Sequence, residues 1–332
     1  MTQLKKHSLR SIAGRVLAVQ ESGVIIPTVI FIIIIALVNP VFLSTTNIFN
    51  VLRATGFTLI TALGMTFVLI SRGLDLSVGS VLAVGGCVAG IALTTFGFPI
   101  IPAMLLGTAA GTLIGTINGL VIIRFKIPPL IMTLGMMYMA RGVVFIMTRG
   151  VPIFPLPAEF QAVEQQPIGG IPTVVVISGI LAVAAHIFLR HTTIGRSIYA
   201  IGGNQEAARL SGIRMNRITL LCYVITGTLA AFTGVIMASR LGSAQPSAGT
   251  MYELTVIAAV IIGGTSTSGG SGTIFGTAIG ALFMNILSNA MTIMRISVYW
   301  QNFVIGLILV LAVVFDQVKK KQMLKVGMSQ KD

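Results

Sequence analysis

The sequence predicts an all-α membrane protein, a polytopic bundle of about ten transmembrane helices, on three observations. Apolar residues fill 55% of the 332 positions and charged residues only 9%, against roughly 25% charge in an average soluble domain. The mean hydropathy is +0.97, so the apolar surface exceeds what a water-soluble fold of this length can bury. Apolar runs of spanning length recur along the chain, and about 20 residues per crossing leaves room for ten. Together these exclude a cytosolic enzyme, a nucleic-acid-binding domain and a disordered chain.

The first 23 residues (1–23) read as a basic cytoplasmic tail with Lys5, Lys6, Arg10 and Arg15. The apolar run Val24 to Val38 imitates a signal peptide. Asn39-Pro40-Val41-Phe42 offers no small-x-small cleavage site, so the run reads as a retained first helix. Further spans are predicted at 52–70, 78–96, 101–123, 128–147, 172–189, 218–238, 252–264, 273–294 and 298–315. Gly56 and Gly64 interrupt the second span. The eighth span is short and reads as broken or re-entrant, which is tolerated only where protein or a cavity covers the backbone. The membrane domain is thus placed at 24–316 and a basic cytoplasmic tail at 317–332.

The formal net charge of +14 reads in a membrane protein as the positive-inside bias, not as affinity for nucleic acid. With the N-terminus in the cytoplasm, the inner segments hold 17 of the 22 Lys and Arg and the outer segments 4, Arg141 remaining within a span. Both termini are then cytoplasmic. Cys87 and Cys222 sit in apolar runs and read as small buried hydrophobes, not as a disulfide or a metal site.

Two loops exceed what connection requires, and long loops are usually functional. The outer one, 148–171, is rich in proline and acid; the inner one, 190–217, is basic and partly helical. One on each side suggests one partner on each side. An internal repeat is also expected: a shift of 193 residues lays Ser71 to Gly85 over Gly264 to Ala278, pairing Gly79 with Gly272.

Glycines recur every fourth residue at Gly107, Gly111, Gly115 and Gly119, and again at Gly272, Gly276 and Gly280. Such stripes let helices approach closely; the alternative is a substrate path along the glycine face. Gly263 to Gly272 looks like a phosphate cradle. It lacks the lysine of a P-loop, and no Lys lies between 127 and 318, so this chain does not split ATP by that mechanism.

A few polar residues inside the apolar runs need a reason. Arg141 lies two-thirds across the fifth span, where a charge costs roughly 2.5–3.5 kcal/mol at the centre; Glu253, at the outer end of the eighth, is its candidate partner in fixing the bundle, and a role in the transport path is the alternative. Asp75 suits the N-terminus of the third span as a cap, or a contact with a cytoplasmic partner. Asn118, Asn285 and Asn289 read as interhelical hydrogen bonds or as lining of a transport path. His186 reads as a packed interfacial residue. No Asp, Glu or His stands clearly at the midplane, which counts against a proton-coupled carrier. Tyr299 and Trp300 suit an aromatic belt.

The most telling segment is Gly195 to Ile213. Its Glu206-Ala207-Ala208 followed by Gly212 resembles the coupling loop of bacterial ABC import permeases, in which a short helix docks into a groove of the ATPase. Alanine keeps that face slim, Glu206 offers a charge, and glycine permits the turn at the helix end. Gly64 to Ile70, then Gly73-Leu74-Asp75-Leu76-Ser77-Val78-Gly79-Ser80, look like the signature of ribose-type sugar ABC permeases. Ser243-Ala244-Gln245-Pro246, Tyr252-Glu253-Leu254 and Gly263-Gly264-Thr265-Ser266 continue the resemblance, which runs from about residue 25 to 316. Thr255 and Ser271 depart from it, where ribose permeases often carry an acid and a base.

The resemblance implies a type II ABC importer-like fold and a permease subunit that moves a monosaccharide, a pentose or a related sugar. It implies an ABC ATPase subunit, a periplasmic sugar-binding protein and a second permease copy (identical or a close paralogue) as partners, in the bacterial inner membrane. Glu206, Ala207, Ala208 and Gly212 would form the coupling loop. ATP would be used by the partner, with no cofactor or catalytic residue here. The competing readings are an ATP-independent secondary carrier or facilitator, and an integral-membrane enzyme. The latter would want acids, histidines or lysines clustered at one membrane face.

Overall fold

A computed structural model describes residues 22–329, with side chains over 25–318. Nearly all of the expected N-terminal tail, and the end of the C-terminal one, lie outside the described residues. The helices are α1 (Ser22–Val38), α2 (Thr45–Ile70), α3 (Val78–Thr94), α4 (Ile100–Phe125), α5 (Pro129–Thr148), α6 (Ala158–Gln165), α7 (Thr173–His191), α8 (Thr193–Gly203), α9 (Gln205–Leu210), α10 (Met215–Leu241), α11 (Tyr252–Ile262), α12 (Ile274–Ile293) and α13 (Val298–Ser329). A 3₁₀ turn, Pro40–Leu43, links α1 to α2. Prolines open α5, α6 and α7, where a missing N–H costs nothing.

Among the described residues, seven helices are long and apolar enough to cross a membrane: α2, α4, α5, α7, α10, α12 and the Val298–Val318 part of α13. The apolar part of α1, α3 and α11 are shorter. The chain belongs to the all-helical class, with the short α6 at one end of the bundle and the α8–α9 pair at the other.

The core is built around α2. Of its apolar window, 89% is buried, against 22% for α4 and α5. A helix apolar all round belongs inside, and α2 is ringed by α7, α10, α11 and α12. The interruption expected at Gly56 and Gly64 does not occur. The helix runs unbroken from Thr45, capped by Ser44, whose hydroxyl accepts from the Asn47 N–H at 3.4 Å. The two glycines are contact points instead. A Cβ on Gly56 would lie 3.1 Å from the Val174 carbonyl oxygen, and one on Gly64 2.7 Å from the Thr226 Cα.

The stripe on α4 is likewise closed. Gly111 faces Ala231 and the Gly227 carbonyl, and Gly115 faces the Tyr223 carbonyl, all on α10. The glycine face is filled by helix backbone, so no substrate path runs along it.

The short predicted eighth span is a short apolar helix, α11, preceded by irregular chain. At 1.5 Å per residue α11 covers about 16 Å, half of a hydrocarbon core of about 30 Å. Ala244 exchanges both backbone hydrogen bonds with Ile153 (2.9 and 3.0 Å) and packs on Gly90 near one end of α3. Gly249 touches Gly79 at the other end. Residues 243–251 therefore run beside α3 before α11 starts. The glycines paired by the 193-residue shift differ locally: Gly79 is helical, whereas Gly272 precedes α12 with φ 155°.

Candidate coupling surface and membrane polar sites

Glu206, Ala207 and Ala208 lie on the short helix α9 and Gly212 just past its end, and both ends are tightly closed. Asn204 terminates α8 and caps α9, its side-chain oxygen accepting from the Ala207 N–H at 3.1 Å. At the far end Gly212 adopts φ +77°, and the Ile213 N–H returns to the Ala208 carbonyl at 3.1 Å. Such a stop needs a residue free to enter the left-handed region. Ala208 is buried against the protein, while Glu206 and Ala207 face outward.

Glu206 meets Arg209 at 2.8 Å, each side chain 68% exposed. An exposed pair contributes at most about 1 kcal/mol, so Glu206 can exchange this partner cheaply. Leu210, one turn beyond Glu206 on the same face, is 78% exposed. It adds an exposed apolar side chain to the face that carries Glu206. The sequence reading missed it, although its i+4 spacing from Glu206 was the available signal.

Asp75 lies inside the protein, 1% exposed. Its Oδ1 accepts from the Ser77 N–H (2.8 Å) and the Ser77 hydroxyl (2.6 Å), and Asn118 Nδ2 donates to that hydroxyl at 3.1 Å. Burial pushes the Asp75 carboxyl up from its ordinary range, and the bonds to Ser77 pull it back. The N-cap position of α3 is Ser77 itself. Asp75 braces it from two residues upstream and has no surface to offer a partner.

Arg141 does not form an ion pair with Glu253. Among the described residues the ion pairs are Arg53–Glu164 and Glu206–Arg209. Arg141 Nη1 instead donates to the carbonyls of Pro246 and Ala248, both at 2.7 Å. The reason is the irregular segment before α11: residues 246–251 form turns, which leave carbonyls without helical donors that a side chain must satisfy. Glu253 lies against Gly79, its Oε2 2.6 Å from where a Cβ there would stand. Asn285 donates to Thr58 Oγ1 (2.9 Å) and the Ala281 carbonyl (2.8 Å). Asn289 and Asn47 bond each other reciprocally at 2.8 and 3.0 Å.

Two polar features were not read from the sequence. At the α6 end, Glu164 is 1% exposed and its Oε1 lies 3.1 Å from Arg53 Nε. Ser239 and Gln165 fasten α6 to the end of α10 through the Phe160 and Arg240 carbonyls (2.6 and 2.9 Å). Burial pushes the Glu164 carboxyl above the usual range, against the pull of Arg53 and Arg240. Between α11 and α13 a cleft of about 120 Å³ is lined by Thr250, Tyr252, Thr255 and Asn302 among others. No local motif marks either feature, because each is made by residues far apart in the chain.

The chain matches, over residues 47–313, the family described as branched-chain amino acid transport system / permease component. It is similar to the ribose import permease protein RbsC of Haemophilus influenzae, 43% identical over 309 residues that cover 91% of this chain and 94% of the relative. The RbsC protein of Bacillus subtilis is 40% identical over 303 residues, covering 90% and 94%. The xylose transport system permease protein XylH of Escherichia coli is 34% identical, covering 85% and 87%. No solved structure matches the chain.

Proposed function

Since the chain belongs to the branched-chain amino acid transport system / permease component family, and within it to the ribose-type sugar ABC permeases, we propose that it carries a pentose such as ribose or xylose across the bacterial plasma membrane. It is a transport subunit, not an enzyme. It supplies the passage and the coupling; a separate ATPase supplies the energy, and a binding protein outside the cell delivers the sugar. The observation that carries this reading is the rigidly capped α9, with Glu206 and Leu210 on its exposed face.

In this reading the α8–α9 end is cytoplasmic, together with both termini, and the chain makes ten crossings. Support comes from 17 of 22 Lys and Arg on that side and from α1, α3 and α11 as shorter apolar helices beside the seven long ones. The repeat at 71–85 and 264–278 belongs to the same proposal, since each segment is an irregular turn feeding a helix. Two copies, identical or paralogous, form the passage. ATP binding closes the ATPase pair, and α8–α9 carry that motion into the bundle, which alternates between two openings.

Arg141, Asn118, Glu253, Asn285 and Asn289 then act as polar contacts inside each subunit. The cleft at Thr250, Thr255 and Asn302 is the better candidate for contact with sugar hydroxyls. The test is uptake of labelled ribose or xylose by proteoliposomes holding this chain with its ATPase and binding protein. Uptake that requires ATP and both partners supports the reading. Uptake by this chain alone, following an ion gradient, replaces it with the carrier.

A further inference from the structure

Three stretches of backbone meet at the base of α8, and glycines make the meeting possible. The end of α2 supplies Ile70 and Arg72, the end of α8 supplies Gly202 and Gly203, and the turn between α11 and α12 supplies Gly269 and Gly270. The Gly270 N–H donates to the Ile70 carbonyl at 2.9 Å. A Cβ on Gly202 would overlap that same carbonyl, and one on Gly270 would come 2.8 Å from Gly203. Arg72 holds the three together. Its Nε donates to the Gly202 carbonyl at 2.7 Å and its Nη2 to the Gly203 carbonyl at 2.9 Å, while its stem lies along Gly269. Tyr199, one turn earlier on α8, donates its hydroxyl to the Gly272 carbonyl at 2.7 Å.

Arg72 stands at φ +66°, a conformation that glycine or asparagine adopts more cheaply. Strain of this kind persists where the surroundings fix it and is a reason to look for a function. The clamp has one to offer. The covalent chain joins α8–α9 only to α7 and α10. Beside the apolar cluster that Ile198 shares with Phe67, Ile70 and Ile274, this joint ties the coupling element by hydrogen bonds to the central helix α2 and to the turn that feeds α12.

We propose that Arg72 is the positioning residue of energy coupling: its guanidinium fork transmits displacement of α8–α9 to α2 and to the 263–273 turn. Tyr199 is the second tie of the same joint. The proposal rests on the reading of α9 as the ATPase-docking helix. A fork that bonds two adjacent carbonyls is not reproduced by lysine, which brings a point charge without the planar geometry.

The experiment compares Arg72→Gln, Arg72→Lys, Tyr199→Phe and Glu206→Arg in proteoliposomes containing the full transporter, with labelled ribose and, beside it, xylose. Complex assembly, ATP hydrolysis and sugar imported per ATP are read separately. The joint predicts wild-type assembly and continued hydrolysis in both Arg72 variants, with import per ATP reduced about tenfold, as expected for losing charge-assisted bonds, and no rescue by lysine. Unchanged import per ATP in Arg72→Gln overturns it, as does loss of the ATPase from that variant, which would make Arg72 a partner contact. Full rescue by lysine would reduce its role to charge and also overturn the joint. If Arg72→Gln does not fold, Tyr199→Phe decides, since it deletes one hydroxyl: lowered import per ATP upholds the joint, and an unchanged value overturns it. A Glu206→Arg variant that keeps its ATPase and couples normally removes the underlying reading instead.

Discussion

Arg141 on α5 donates to the carbonyl of Ala248 at 2.7 Å, in a segment that is not helical although it runs alongside membrane helices. A charge at membrane depth is thereby explained without a counter-charge. The same nitrogen also serves the Pro246 carbonyl, so one side chain satisfies two acceptors that the break before α11 exposes.

Arg141→Met is therefore expected to destabilise the protein. Methionine keeps the length of the stem and leaves both carbonyls without a donor, at about 1–3 kcal/mol for each buried unsatisfied group. Thermal unfolding of the detergent-purified protein should show a clear loss of Tm. An unchanged Tm would mean that the 243–251 segment is held by other contacts.

Close backbone packing separates two kinds of glycine. A Cβ on Gly234 would overlap the Leu82 carbonyl oxygen, whereas one on Gly135 meets nothing within 4 Å. Gly234→Ala should cost about 1–3 kcal/mol through forced separation of α3 and α10. Gly135→Ala should be neutral or stabilise by up to about 1 kcal/mol, since it stiffens a helix without a clash. Equal Tm values for the two variants would contradict this packing.

Glu164 gives a pH dependence with a defined sign. Its carboxyl is pushed upward by burial, so the folded protein binds that proton more tightly than the unfolded chain. The penalty is present at neutral pH and above. It is relieved as pH falls through the raised value toward the ordinary glutamate value of 4.5. Glu164→Gln should remove this slope and hold stability level between about pH 8 and pH 5. A variant whose Tm follows pH as the wild type does would place the titrating group elsewhere.

The fold class was legible because composition alone decides between water and lipid, and the order of the apolar helices followed from the apolar runs. Where the reading slipped, the cause was tertiary. Gly56 and Gly64 look like breaks when seen locally, yet each is a site where a neighbouring helix comes close. The Arg141–Glu253 pairing failed because charge spacing on a sequence does not show that 246–248 form a turn with free carbonyls. The local motif marked Glu206, Ala207, Ala208 and Gly212, which the structure gathers on and just after α9; their coupling role is the proposal. Leu210 was readable in principle from its turn spacing. The clamp from Arg72 to Gly202, like the pairing of Arg53 with Glu164, joins distant segments and leaves no local trace.

The α6 end yields a further expectation. Phe154 is 74% exposed beside the fastened α6, in the long loop that the proposed function turns toward the binding protein. Phe154→Asp should weaken stimulation of ATP hydrolysis by the binding protein and leave basal hydrolysis unchanged, as measured on the reconstituted transporter. Stimulation that persists at wild-type level would move the docking surface off this loop.

The most direct test of the central claim is affinity purification of this chain from its native membrane beside the Glu206→Arg variant, with mass spectrometry of the copurifying proteins and an assay of ATP hydrolysis. The account predicts an ATP-hydrolysing subunit that accompanies the wild type and is lost from the variant, with the variant itself folded and expressed normally. Absence of any ATPase from both samples, even after crosslinking, would contradict it and return the chain to the class of ATP-independent carriers.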